Sequence, residues 1–412
     1  MKIDISRIRR HIETLAGFTA TPGAGTTRLS YTPEYRQACD YLIDHARSLG
    51  LTARLDAIGN LRIRLEGRNR TAPTVVVGSH LDSVINGGDF DGILGVVSGV
   101  EAVQCMVENG LQPEHAVEAI SFVEEEGTTF RCPLTGSKAL AGELGLAELE
   151  DLKNEDGESL PRIAADFGLE PAGLESDRLQ AGGVKAMFEL HIEQGAVLES
   201  LGLPVGIVEH IAGSENHRVR LHGRANHAGT TPMSLRFDAL ACAAECIGTV
   251  EHVAADPNRP DTVATVGRIH CSPNAVNVIP AAVEFSIDIR DIRESQIESA
   301  SSAILDLTRS IAQNRNIQIE TELTGKSPPR PMAPGIIENL ATLADHAGIP
   351  YHRMNSGALH DAAMMTRVTD VGMIFVPSKD GRSHTPKERT DYEDIEQGAN
   401  LLLRAVLHQA AP

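Results

Sequence analysis

The stretch TVVVGSH (Thr74–His80), the glycine turn GGDFDG (residues 87–92) and the apolar segment from Gly92 to Asn109 decide the fold. A short β-branched run followed by apolar positions at helical spacing reads as strand, turn and helix. AISFVEEEG (119–127) and AMFELHIEQG (186–195) repeat the pattern of an apolar run ending in polar residues, and VGMIFVPS (371–378) is a further strand. Upstream, residues 1–70 read as two helices, the second near Pro33–Leu49, and two short strands. Helices near Gly335–Gly348 and Asp391–Gln409 flank the last strand, while residues 137–183 are charged, helix-prone and peripheral. The alternation predicts an α/β fold with a mainly parallel mixed sheet flanked by helices.

A different texture begins near Ile211. ENHRVRLHGRA, DTVATVGRIH, AAVEFSIDIRD and NIQIETELTG alternate as strands, with helical stretches at Ser234–Val253 and Arg293–Asn314. The order β-α-β-β-α-β is that of a ferredoxin-like α+β sandwich. SPPRPMAP (327–334) reads as a linker. The expected organisation is a domain of residues 1–210 and 330–412 carrying an inserted domain of residues 211–329.

Composition narrows the function. The chain has 412 residues, of which 42% are hydrophobic, with 37 Lys and Arg against 56 Asp and Glu, a net charge of −19. So acidic a surface repels phosphate backbones and anionic lipid, which argues against nucleic-acid and membrane-surface partners. With no Trp and few other aromatics, stacking platforms are scarce. No apolar run is long enough to span a bilayer, and the first residues are unlike a signal peptide. The six cysteines form no CxxC pair, and Cys242 and Cys246, one helical turn apart, read as core thiols of a reducing compartment. The expectation is a cytoplasmic protein acting on something small.

His80, Glu124–Glu126, His191 and His384 sit at or just beyond the carboxyl ends of four expected strands, the edge where open α/β sheets bind ligands. Asp89 and Asp91 lie in the glycine turn, where close backbone approach is possible. Imidazoles with carboxylates and no cysteine suit open sites for Zn²⁺, Mn²⁺, Co²⁺ or Ni²⁺. Two such ions need a bridging carboxylate, about two further ligands each and an unliganded acid or base. Asp82, two residues after His80, is placed to orient that imidazole. Taken singly, a strand-end histidine is more often a satisfied core or surface group, EEE a solvated run and GGDFDG only a turn. The repetition at four strand ends favours the site.

GSHLDSVINGGDFDGILGVVSGVEA, EEEGTTF, ELHIEQGAVLE, HAGTTPM, NAVNVIP, SGALHDA and MIFVPSKDGRSHTP closely resemble the N-carbamoyl-L-amino-acid hydrolase and allantoate amidohydrolase family of the di-metal aminopeptidase-like clan. These motifs run in order from about Gly78 to Pro386. The resemblance implies that His80, Asp91, Glu126, His191 and His384 hold two divalent ions, with Asp91 bridging and Asp89 an exposed turn residue. Glu125 would be the general base and Glu124 structural, with the chain turning at Gly127. A histidine at 191, where clan peptidases carry a carboxylate, implies ureido-acid chemistry. Gln194 would contact substrate, and His227 would stabilise the oxyanion. Asn277 and Arg290 would clamp a substrate carboxylate, although the residues alone also allow Arg290 to be a surface-strand charge paired with Asp288 or Asp291. Gly357 would let backbone approach the site closely, and His360 would lie near the second metal or the substrate. The inserted domain would be lid and dimerisation surface of a homodimer.

Thr129 before Phe130, with Arg131 after it, departs from the family's EEGxRF pattern and would bear on specificity if Arg131 met the glutamate turn. GSHLDSV, LPVGIV and GTTPMSLR lean toward N-carbamoyl-L-amino acids, cleaved to amino acid, ammonia and CO₂. Asn226 echoes allantoate enzymes, β-ureidopropionate ranks third and a peptidase below it. A binding protein that keeps the fold without catalysis conflicts with the intact ligand set and Glu125.

Overall fold

A computed structural model describes residues 1–411, which form two compact units, residues 1–209 with 332 onward, and residues 210–331. The sheet of the first unit is built around four parallel strands in the order Val117–Phe122, Thr74–His80, Val184–Ile192, Val371–Val376. Antiparallel strands extend it on both sides, Leu61–Leu65 against Val117–Phe122 and Val205–Ile211 against Val371–Val376. The inner strands are buried almost throughout, as parallel strands covered on both faces must be. Phe122, Phe188 and Phe375 are among the largest fully buried side chains, each contributing about 1.5–3 kcal/mol by burial.

The helix after the glycine turn runs Ile93–Glu108 and is buried from Ile93 to Met106, packing on the inner strands and on helices Ile5–Ala16 and Tyr392–Ala410. The expected strand AISFVEEEG stops at Phe122, so the glutamates lie in a bend rather than on the strand. The segment 137–183 is less peripheral than its charge suggests. Helix Thr135–Leu140 is buried and packs against helix Asp361–Met365. Between helices Ile5–Ala16 and Pro33–Ser48, His11 is buried, its Nδ1 2.8 Å from the Tyr41 hydroxyl and its ring edge-on to His45.

The second unit has a five-stranded antiparallel sheet with central strands Ala282–Asp291 and Gly213–His222, flanked by Ile269–Ser272 and Gln318–Ser327. Helices Ala239–Ala254 and Glu294–Asn314 cover one face, giving the ferredoxin-like order. DTVATVGRIH divides into two short strands, Val263–Thr265 and Ile269–Ser272, both pairing with Ala282–Asp291. The first helix starts at Ala239 rather than near Ser234, because the Asp238 carboxylate accepts the Leu240 and Ala241 amides as its cap. Cys242 and Cys246 lie in this core, and all six cysteines are unpaired.

Candidate metal centre

Parallel register brings the polar strand ends to one edge. His80 is level with Phe122 on one neighbouring strand pair, and Phe375 is level with His191 on another. Asp91 stands at the centre. Its Oδ1 lies 3.1 Å from His191 Nε2 and 3.7 Å from His80 Nε2, and its Oδ2 lies 3.1 Å from His384 Nε2. Glu126 approaches His384 Nε2 at 3.6 Å, and Glu125 approaches His80 Nε2 at 3.6 Å. Two of the donor groups share Asp91, one with His80 and His191, the other with Glu126 and His384; His80 with Glu125 and Glu126, and His191 with Glu189 and His360, form two more. All five expected ligands and Glu125 come together.

The imidazoles are oriented from behind. His80 Nδ1–H donates to the Asp82 carbonyl and His191 Nδ1–H to the Ile192 carbonyl, both at 2.9 Å, which turns each Nε2 toward Asp91 and leaves its lone pair for a cation once the Nε2 proton is displaced. The Gly92 amide lies 3.2 Å from His191 Nε2 and donates to it once that nitrogen is deprotonated. This tautomer is the one a metal-ligating histidine takes, so the residues fit divalent cations. Asp82 serves His80 through its backbone oxygen rather than its carboxylate. The carboxylate instead accepts the amides of Glu125 and Glu126, at 3.2 and 3.1 Å, and fixes the glutamate bend.

That bend begins at Glu124, with φ of 57°, and not only at Gly127, with φ of 67°. It resolves the conflict between strand alternation and the roles of adjacent glutamates. Glu124 is structural, its carboxylate accepting the Thr129 and Phe130 amides. Arg131 points away, with its side chain 80% exposed and 3.6 Å from Glu155, so it does not meet the glutamate turn. Gln194 and His384 also hold positive φ, 59° and 55°. Such backbone costs of order 1–3 kcal/mol each and persists where surroundings enforce it.

Gly92 has φ of 71°, and a Cβ there would lie 2.4 Å from the His80 ring. It also starts helix Ile93–Glu108, whose positive end faces Asp91. Burial disfavours the Asp91 carboxylate, yet bonds with His191, His384 and His80 hold its pKa well below the usual range. Burial drives Glu125 well above the usual range, with Glu126, Asp361 and Asp82 adding to the effect against His80. Burial and Asp91 push Glu126 up to about 7, while Asp91 raises His384 to about 9. Divalent ions would displace the imidazole protons and restore the carboxylates, so metal loading is coupled to proton release.

Several expected contacts differ in detail. Gln194 Nε2 donates to Asp91 Oδ2 at 2.9 Å, so its amide supports the central carboxylate. His360 is buried, bonded to Ser356 Oγ at 2.9 Å and edge-on to His191 with ring centroids 4.5 Å apart. Gly357 is exposed, and a Cβ there would meet no protein atom. Asp89 is half-buried rather than exposed and accepts from the Thr26 hydroxyl at 2.6 Å.

Glu388 gave no sequence signal. It accepts the Phe90 and Asp91 amides, 2.9 and 3.0 Å, and Ser383 Oγ links it to Asp91 Oδ2. Burial and Asp91 push it up to about 7.

His227, Asn277 and Arg290 belong to the second unit. A two-residue ribbon pairs His227 with Val278, and the Ala228 amide donates to the Asn277 carbonyl, so these two exposed residues are neighbours. His227 Nδ1 accepts the Gly229 and Thr230 amides, which leaves the proton on Nε2. Arg290 makes a bidentate pair with Asp288, both bonds 2.9 Å, while Asp291 is engaged by Thr262 and the Arg293 amide.

A family model described as Peptidase family M20/M25/M40 matches residues 76–408. An N-carbamoyl-L-amino acid amidohydrolase of Geobacillus stearothermophilus is 43% identical over 385 residues, 93% of each chain. An allantoate amidohydrolase of Escherichia coli is 35% identical, with 99% of each chain covered. The crystal structure of a hydantoinase/carbamoylase family amidase from Burkholderia multivorans superposes with a TM-score of 0.94 at 33% identity, covering 100% of this chain and 99% of that one. Strand order, the Asp91-centred ligand groups and these full-length similarities agree, and the chain belongs to peptidase family M20/M25/M40, among its carbamoylase-type amidohydrolases.

Proposed function

We propose that this chain hydrolyses the ureido C–N bond of N-carbamoyl-L-amino acids, consuming one water and releasing the amino acid, ammonia and carbon dioxide. The observation that carries the reading is the sharing of Asp91 between two candidate ligand groups, with the buried Glu125 3.6 Å from His80 Nε2. The most identical relative reported above bears that activity in its name. His80, Asp91 and His191 would hold one divalent ion, and Asp91, Glu126 and His384 the other, with Zn, Mn, Co and Ni all suited to these donors. Bound ions would supply Lewis acidity, polarising the ureido carbonyl and acidifying the attacking water.

The chain's own groups do the rest. Glu125, clamped by Asp82 through its amide, takes the proton of the attacking water and delivers it to the departing amine. Burial raises its pKa, which suits a group that must accept and hold a proton. His227 offers its Nε2–H to the developing oxyanion, since the Gly229 and Thr230 amides occupy Nδ1. Arg290 and Asn277 receive the substrate carboxylate, which would join or displace Asp288 on the guanidinium. The unit of residues 210–331 acts as lid and dimer surface. Its sheet exposes Val263, Ile269 and Leu323, which supports self-association. Among the described residues no helix is long and apolar enough to cross a membrane. The unpaired cysteines support a cytoplasmic location.

Ammonia release from N-carbamoyl-L-methionine, allantoate, β-ureidopropionate and a dipeptide, each with enzyme loaded with one of the four metals, tests the reading. The N-carbamoyl amino acid is the expected best substrate. Preferential cleavage of allantoate would move the assignment to that activity, and cleavage of the dipeptide alone would end it.

A further inference from the structure

Arg28 lies outside every motif discussed so far and is fully buried, with 0% of its surface exposed. Its Nε–H donates to the Leu81 carbonyl at 2.7 Å, and Nη1 donates to the carbonyls of Leu15, at 2.7 Å, and Phe18, at 3.2 Å. Leu15 and Phe18 close helix Ile5–Ala16, whose last carbonyls carry the negative end of the helix dipole and need donors. The backbone is tied as well. The Arg28 amide donates to Ser83 Oγ, and the Ser83 amide donates back to the Arg28 carbonyl.

A buried guanidinium is costly unless its donors are used, and here Nη2 has no hydrogen-bond partner. Simple stapling of a helix end would not need a charged fork at such cost. What distinguishes the place is Leu81. On one side stands His80, and on the other Asp82. The Asp82 carbonyl fixes the His80 tautomer, and its carboxylate fixes the amides of Glu125 and Glu126. One three-residue segment therefore orients a metal ligand of one group, a ligand of the other, and the base. Arg28 grips that segment at Leu81 and at Ser83.

We propose that Arg28 is a positioning residue for the metal centre: its guanidinium holds the Leu81 carbonyl and its backbone holds Ser83, so that His80 and the Glu125–Glu126 bend keep the orientation that metal binding and hydrolysis require. The inference rests on the proposed di-metal hydrolase reading, and it places a determinant of that site in the first thirty residues, ahead of every ligand. Lysine would keep the charge, but its donors leave a single nitrogen and cannot reach both the Leu81 carbonyl and those of Leu15 and Phe18, which Arg28 meets from two nitrogens.

The test uses the full chain with Arg28→Met and Arg28→Lys. Leu340→Ala serves as a stability control, since Leu340 is a buried residue of helix Pro334–Ala347, which carries no site residue named above. Zn²⁺ affinity is measured by competition with a chromophoric chelator, melting temperature by calorimetry, and kcat per zinc-loaded subunit on N-carbamoyl-L-methionine. Both Arg28 variants are expected to lose about 10–100-fold in Zn²⁺ affinity and a similar factor in kcat, the range seen when outer-shell partners are removed. Their KM should stay within about twofold, and Leu340→Ala should melt early yet keep both affinity and kcat. Wild-type affinity and kcat in Arg28→Met overturn the proposal, whatever its melting temperature, and full recovery in Arg28→Lys overturns the role of the fork. Should Arg28→Met fail to fold, Ser83→Ala weakens the same anchor. A measurable loss of Zn²⁺ affinity there upholds the proposal and an unchanged value overturns it. A wild-type protein that binds zinc but cleaves no ureido acid refutes the substrate reading alone, because zinc affinity still decides the role of Arg28.

Discussion

Replacing Gly92 with alanine adds one methyl group where the site has least room. The new Cβ would stand 2.4 Å from the His80 ring, against an ordinary contact of 3.4 Å or more. The imidazole must therefore retreat by about 1 Å, or the turn must open by as much. Backbone adds to the cost, since φ of 71° with ψ of −48° is a conformation L residues rarely adopt, worth about 1–3 kcal/mol. His80 cannot retreat freely, because its Nδ1 is held by the Asp82 carbonyl. A 1 Å misplacement of a catalytic group costs on the order of 100-fold in rate. We expect Gly92→Ala to fold with a melting temperature lowered by several degrees, to bind metal more weakly in the group containing His80, and to lose about 100-fold in kcat. Metal stoichiometry by elemental analysis after dialysis, calorimetry and ammonia release read the three effects. Two tightly bound ions together with kcat within about twofold of wild type would refute the argument, since the methyl group cannot be accommodated without moving His80 or Asp91.

Glu125→Gln should retain metal and lose about 10²–10⁴-fold in kcat, and undiminished turnover would remove Glu125 as the base. Arg290→Ala should raise KM for N-carbamoyl-L-methionine by about 10-fold or more, as a charge-assisted bond of roughly 1.5–3 kcal/mol is lost, and an unchanged KM would misplace the carboxylate clamp. His11 is held neutral, its pKa pushed down to about 4 by burial and by the charges of His45, Arg10 and Arg7. The unfolded chain therefore binds this proton more readily than the folded one, so stability is fully present above about pH 6.5 and falls as the pH drops toward 4. Melting curves between pH 4 and 7 should show His11→Gln losing less stability on acidification than wild type, and parallel losses would remove His11 as a cause.

The sheet and the polar residues gathered at its edge were legible because parallel strands are buried on both faces, so any polar residue at their carboxyl ends stands out against an apolar run. His80, His191 and the glutamates after Phe122 announced themselves this way, and Asp91 did so through the glycines around it. The manner of support was not legible. Asp82 was expected to serve His80 through its carboxylate, yet alternation cannot tell a backbone acceptor from a side-chain one. Glu388 reaches the Asp91 amide across nearly 300 residues of chain, and no local spacing encodes such a contact. The positive φ of Glu124 and His384 is likewise imposed by surroundings, since neither residue type marks a turn. Asp238 was a readable cap, and using it would have moved the start of its helix to Ala239.

The strand Val371–Val376 has a consequence for how the chain acquires its metal. It lies inside the sheet, between Val184–Ile192 and Val205–Ile211, although nearly all of the unit of residues 210–331 separates it from both in the order of synthesis. Residues 1–209 alone leave a gap at the sheet's centre, with two unpaired strand edges facing one another. Filling the gap is a late, long-range event, slow by nature because loop closure must precede its reward. The same event carries His384 toward Asp91 and Glu388 under the glycine turn. Metal capture at the proposed centre would thereby wait on completion of the sheet. A chain still emerging from the ribosome would offer only His80, Asp91, Glu126 and His191 of the proposed ligands, and the group that needs His384 could not close until the fold itself has closed.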